Sequence, residues 1–163
     1  KGHAMAGFGG AIKNISIGIA SSEGKAHIHS GGTGGSMWGG DQDAFLESMA
    51  EAGKSVVDYL EGNILYINVM NRLSVDCDCD GSPAEPDMHD IGILASFDPV
   101  ALDLACTEAV LAQKPMAGSV LESVAGRGKD HIQSIFPITN WRSQIAHAKK
   151  IGLGEDSYQL VQI

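Results

Sequence analysis

The chain is 163 residues long, 44% hydrophobic, and carries a formal net charge of −9. That length suits one domain with a real core, and the acidic balance argues against nucleic acid or an anionic membrane as a partner. With no apolar run of 18 residues, no signal-peptide pattern and three cysteines, a reduced cytoplasmic protein without a membrane span is the expectation.

Residues 1–10 are rich in glycine. Gly7-Phe8-Gly9-Gly10 can bring backbone N–H groups close to an anion. Ile12 prevents a G-x-G-x-x-G motif, and no Walker sequence is present. Residues 11–20 fit two periods: Ile12, Ile15 and Ile19 mark a helical face, whereas Ile15, Ile17 and Ile19 alternate as in a strand. The preceding glycines favour a helix. Gly9, Gly10, Lys13 and Asn14 then lie about its N-terminus, where they suit a small anionic ligand; the plainer reading of Lys13 is a solvated lysine. Lys25-Ala26-His27-Ile28-His29 follows, and in an extended segment His27 and His29 point to the same side. Such a pair can share a metal, or can simply be exposed. Residues 30–40 form a flexible Gly-rich loop containing Trp38.

Asp41 or Asp43 caps a helix running to about Leu60, and Gly62-Asn63 ends it. Residues 64–70 are apolar on both faces, as in a central strand. The chain then enters Asp76-Cys77-Asp78-Cys79-Asp80, a Gly/Pro turn and Asp87-Met88-His89-Asp90. Residues 91–95 predict a second strand. Asp98 is a good N-cap and Pro99 a good first residue for a helix to about Gln113. After Pro115, short helices fit 117–125 and 128–135. Thr139 is placed to cap a helix over 140–150 that Gly152 stops, and 158–163 reads as a last strand. Strands alternating with helices predict a single α/β domain over 1–163, layered, with a mostly parallel sheet flanked by helices.

Cys77 and Cys79 are two apart, too close for an unstrained disulfide. In an extended loop they present two soft ligands to zinc or iron, and His89, Asp87 or Asp90 can complete a site. The competing reading is a pair of reduced thiols in an acidic loop. Asp98 is first an N-cap, although its place past a strand end also suits a ligand contact. Asp103 lies about 140° from Asp98 around the helix, so the two make no carboxylate pair; Asp103 more plausibly pairs with Lys13 or another interior base. No Gly-x-Ser-x-Gly elbow or Ser-His-Asp order is present.

Cys77-Asp78-Cys79, followed by Asp90-Ile91-Gly92-Ile93-Leu94-Ala95-Ser96 and Asp98-Pro99-Val100-Ala101-Leu102-Asp103, resembles the signature of the DUF362 family. Lys1-Gly2-His3, residues 7–14, Gly24-Lys25 and His29-Ser30 agree, so the resemblance covers about half the chain. Members are bacterial and archaeal proteins of largely undefined function, many described as iron–sulfur centre proteins for an inserted ferredoxin-like segment. The resemblance implies that this chain is the C-terminal part of a longer protein. The C-x₂-C-x₂-C-x₃-C run of that insertion is absent. Three readings follow. The first is a metal- or iron–sulfur-associated, redox-related domain with Cys77, Cys79, His29, His89 and Asp90 as ligands and a ferredoxin-like electron-transfer partner. The second is an enzyme domain that holds a small anion through Gly9, Gly10, Lys13, Asn14 and Asp98. The third is a structural fragment whose site is completed elsewhere. A homo-oligomer is compatible with each.

Overall fold

The computed structural model describes residues 2–3, 6–36, 40–77 and 80–163. Gly2–His3 (β1) and Gly7–Phe8 (β2) pair antiparallel. Ala11–Lys13 (α1) widens into a π-helical turn over Asn14–Gly18, so the helical reading of this stretch holds. Ser22–His29 (α2) starts where the Ser21 hydroxyl accepts the Gly24 N–H. Gln42–Tyr59 (α3) starts at Asp41, whose carboxylate accepts the Ala44 N–H at 2.7 Å. It ends at Leu60, and Gly62 turns the chain out at φ +74°, a conformation glycine adopts without strain.

Tyr66–Met70 (β3) and Gly92–Ser96 (β4) follow. They pair antiparallel, with Tyr66 opposite Ser96 and Met70 opposite Gly92. This corrects the expected parallel arrangement. Parallel neighbours need a crossover, usually a helix; the described residues of 71–91 contain none, and the chain turns back to lay β4 beside β3. β3 is not central either. Tyr66 and Met70 are buried, but Ile67 and Val69 are exposed, and β3 and β4 form a two-stranded sheet. The predicted strand at 158–163 takes part in no sheet among the described residues.

The helices lie against one face of this pair. Pro99–Leu111 (α4) contacts both strands and α1. Leu102 and Cys106 of α4 pack with Tyr66, Met70 and Met88 in one core cluster. Val120–Val124 (α5) and His131–Ile135 (α6) are the predicted short helices. Trp141–Lys150 (α7) begins after Asn140 rather than at a Thr139 cap, and it packs along α3. A second cluster joins Ile12, Val100, Trp141 and Ile145.

Two buried or half-buried acids tie the irregular segments down. Asp87 is 2% exposed. Its carboxylate accepts the N–H groups of Val75 and Leu121, each at 2.8 Å, and so joins both ends of the 71–91 excursion to α5. Asp98 is the N-cap of α4: Oδ1 accepts the N–H groups of Val100 and Ala101, and Oδ2 accepts that of Glu155. A Cβ on Gly154 would stand 2.1 Å from Asp98 Oδ1, so only glycine lets the backbone come this close. Asp98→Ala is therefore expected to cost about 1–2 kcal/mol in urea unfolding and to speed proteolysis after Gly154. Asp98→Asn, which keeps an acceptor for the cap, is expected to recover most of the stability.

Candidate functional site

A cleft of about 330 Å³ opens between the glycine segment 7–10, β3, α4 and α6. Three features shape it. The glycine segment carries no side chain beyond Phe8, so backbone forms that wall. The inner face of β3 turns Asn68 toward α4. The start of α1 places Lys13 and Asn14 on the rim. Met70, Met88 and Leu121 of the first core cluster share the remaining lining with polar residues, among them Asp87, Thr107 and His131.

Asp103 sits at the meeting point of these parts. It is 1% exposed, on the buried side of α4. Oδ1 accepts the Ala11 N–H at 2.6 Å and Asn68 Nδ2–H at 2.9 Å, and Oδ2 accepts the Ile12 N–H at 2.9 Å. The donors that a helix start offers to an anion are thus met by the protein's own carboxylate. Here the partners are backbone N–H groups and an amide, rather than the side-chain base expected for Asp103. Gly10 is extended at φ −128°, so it is not glycine for its dihedral. A Cβ there would lie 2.2 Å from Asp103 Oδ1; glycine is needed for the close approach.

Burial pushes the Asp103 carboxyl up to about 6, against the three hydrogen bonds that pull it down. Asn68 Nδ2 also reaches Cys106 Sγ at 3.6 Å. Burial pushes that thiol up to about 11, so Cys106 is a protonated, unreactive lining group. His131, on the opposite wall, donates Nε2–H to the Gln113 carbonyl at 2.8 Å.

The candidate residues divide cleanly. Gly9, Gly10, Lys13 and Asn14 all line the cleft. Asp98 does not, being engaged in the α4 cap and the Glu155 N–H. The proposed metal ligands are dispersed. His27 and His29 lie in α2 and not in an extended segment, which turns them about 160° apart. His27 is exposed; His29 is buried, with Nδ1 on the Lys25 carbonyl at 2.6 Å and its ring stacked on Phe45. The Asp90 carboxylate accepts Asn71 Nδ2–H and the Arg72 N–H, holding Arg72 at φ 48°. His89 is exposed. Cys77 lines a second cleft that shares Val69 and Ser74 with the first, while Asp76 and Asp80 accept backbone N–H groups of Ala84 and Ser82. Cys79 lies outside the described residues. Among the described residues no three His, Cys, Asp or Glu side chains converge on a metal position.

Sequence reasoning missed Asn68, His131 and the clamp role of Asp103. The usable signal was Asp103 itself, an acid flanked on both sides by apolar residues in Val100-Ala101-Leu102-Asp103-Leu104-Ala105-Cys106. A charge so placed is seldom buried without partners.

The raised Asp103 carboxyl has a signed consequence. The native state holds its proton more tightly than the unfolded chain, whose carboxyl is near 3.8. The stabilisation from that proton is complete below about pH 4 and is lost as pH rises through about 6. Comparing urea unfolding of the wild type and Asp103→Asn from pH 4 to 7 isolates it. The wild type is expected to lose on the order of 2–3 kcal/mol relative to the variant across that window. Gly10→Ala is expected to destabilise by more than about 2 kcal/mol at every pH, because it displaces the carboxylate and leaves buried N–H groups unpaired.

A sequence model of the family described as Domain of unknown function (DUF362) matches residues 1–108. That span holds β1 through most of α4 and therefore the glycine segment, Lys13, Asn68 and Asp103. No curated protein and no solved structure matches the chain.

Proposed function

We propose that this chain, which belongs to the DUF362 family, binds a small molecule with one anionic group and an apolar body in the cleft beside Lys13. The observation that carries this reading is the composition of the cleft. About 330 Å³ of space has largely apolar walls, with Gly9, Gly10, Lys13 and Asn14 gathered on one part of its lining. Small-molecule sites typically enclose about 300–1,000 Å³ and fix their ligand with a few polar groups on apolar walls.

Asp103 gives the ligand a direction. Its carboxylate already occupies the N–H groups of Ala11 and Ile12, and a second anion beside it would be repelled. The anionic group of the ligand therefore belongs at Lys13 and Asn14, with the apolar body toward Met88 and Leu121. A phosphate monoester or a carboxylate with a hydrocarbon or aromatic body meets both demands; a compact inorganic anion leaves the apolar walls uncovered.

Thermal-shift titration with phosphate monoesters and carboxylates of graded apolar size tests this. Stabilisation is expected to rise with the apolar body, because a ligand that binds only the native state raises its stability by mass action. Lys13→Ala is expected to weaken binding roughly 10- to 100-fold, the worth of one charge-assisted hydrogen bond. No shift across the panel, or shifts indifferent to Lys13→Ala, would overturn the reading.

A further inference from the structure

We infer that the ligand of the cleft is the C-terminal end of an extended peptide, which adds a strand to the open edge of β3 and places its carboxylate at Lys13. This rests on the reading of the cleft as a site for one anionic group with an apolar body, and names the class of that ligand. Four consecutive residues of β3, Ile67, Asn68, Val69 and Met70, line the cleft. Neighbouring side chains in a strand point to opposite faces, so a strand lines a cavity with consecutive residues when its edge is turned toward it. β4 takes the other edge. Among the described residues, the backbone of 66–70 has one hydrogen bond beyond that pairing, from the Ile91 N–H to the Met70 carbonyl, and it too comes from the β4 side. An open edge offers unpaired N–H and C=O groups to another chain, and proteins commonly blunt such edges with charged side chains or proline. Residues 64–70 contain neither. The glycine segment, another wall, presents only backbone at Gly7, Gly9 and Gly10, so Phe8 alone of that segment brings a side chain near an added strand.

The two ends of the cleft differ, and this sets a direction. Asn68 is tied through Asp103 to the start of α1, so Lys13 and Asn14 lie toward that part of β3. Past Met70 the chain reaches Leu73, whose carbonyl accepts the Asp87 N–H at 2.8 Å. Asp87 holds the Leu121 N–H, and Met88 follows it in the chain. The Met88 and Leu121 lining therefore lies beyond the C-terminal end of β3. A peptide with its carboxylate at Lys13 and its body toward Met88 and Leu121 runs antiparallel to β3, as β4 does on the other side. Its side chains alternate between the two faces that β3 defines. Those on the face of Asn68 and Met70 enter the interior of the cleft. The others stand beside Ile67 and Val69, which are 59% and 60% exposed. Four β3 residues cover roughly 13 Å and three ligand residues about 10 Å, so a tripeptide fits the edge.

Charge selects a chain end over an internal segment. Lys13 supplies the cation that pairs with a terminal carboxylate, whereas an internal segment leaves that cation unused. Main-chain hydrogen bonds to a sheet edge supply affinity, and alternate side chains supply specificity.

Isothermal titration of the full chain with acetyl-alanyl-alanyl-leucine as the free acid tests the inference. N-acetyl-leucine, which has the same carboxylate and side chain but no strand, is the comparator. The tripeptide is expected to bind about 10-fold more tightly than the comparator, and its C-terminal carboxamide about 10-fold more weakly than the acid. Lys13→Ala is expected to remove the preference for the acid over the carboxamide. N-methylation at the leucine and at the middle alanine is expected to act unequally: the position whose N–H faces β3 loses about 10-fold, and the other is unchanged. Equal binding of the tripeptide and N-acetyl-leucine would overturn the inference. So would a carboxamide that binds as well as the acid, or two N-methyl analogues that change binding equally. Each of these results leaves the small-anion reading standing. Absence of binding by the tripeptide, by N-acetyl-leucine and by the graded phosphate and carboxylate panel overturns both.

Discussion

The Asp103 carboxylate joins three parts of the chain that are far apart in sequence. It receives the N–H groups that start α1, the amide of Asn68 on β3, and it stands on α4. An ionised carboxylate taken out of water costs several kcal/mol unless its acceptor positions are filled. Conversely, the two N–H groups at the start of α1 need an acceptor once they are buried. Each side of the contact removes the cost of the other. The glycine segment, β3 and α4 are held in one geometry because separating any of them leaves polar groups unpaired.

That contact also shapes the cleft. Gly10 is pressed against Asp103, which brings the backbone of residues 7–10 onto the edge of the cavity. Lys13, one turn into the helical segment, is carried to the rim. A buried anion beneath and a cation at the edge give the cleft a polarity along its depth. The residues that the glycine pattern pointed to are therefore at the right place, but the donors at the helix start are not available for a ligand.

The second theme is the fate of the acids. Twenty Asp and Glu residues suggest ion binding, yet several of them serve the backbone. Asp41 and Asp98 cap helices, Asp90 holds a left-handed turn, and Asp87 gathers two N–H groups beneath α5. Each satisfies local donors that irregular segments leave unpaired. After β3, Asp76 and Asp80 likewise accept the N–H groups of Ala84 and Ser82.

Several features were determined by the sequence alone. The caps and stops of α3 and α4 were legible, because Asp41, Asp98, Pro99 and Gly62 act through neighbours two to four residues away. The two strands were legible from their apolar runs to within two residues, and the family from its motifs. What only the tertiary structure decided depends on contacts distant in sequence. Periodicity reports whether a strand is apolar, not which strand lies beside it, so 66–70 and 92–96 proved antiparallel and open on one face. The His27–His29 pair looked like a shared ligand set only while the segment was read as extended; in a helix the same spacing separates them. Asp103 and Gly10 are 93 residues apart. Neither shows by itself that one must be glycine because the other is an acid; packing α4 against the start of α1 creates both requirements at once.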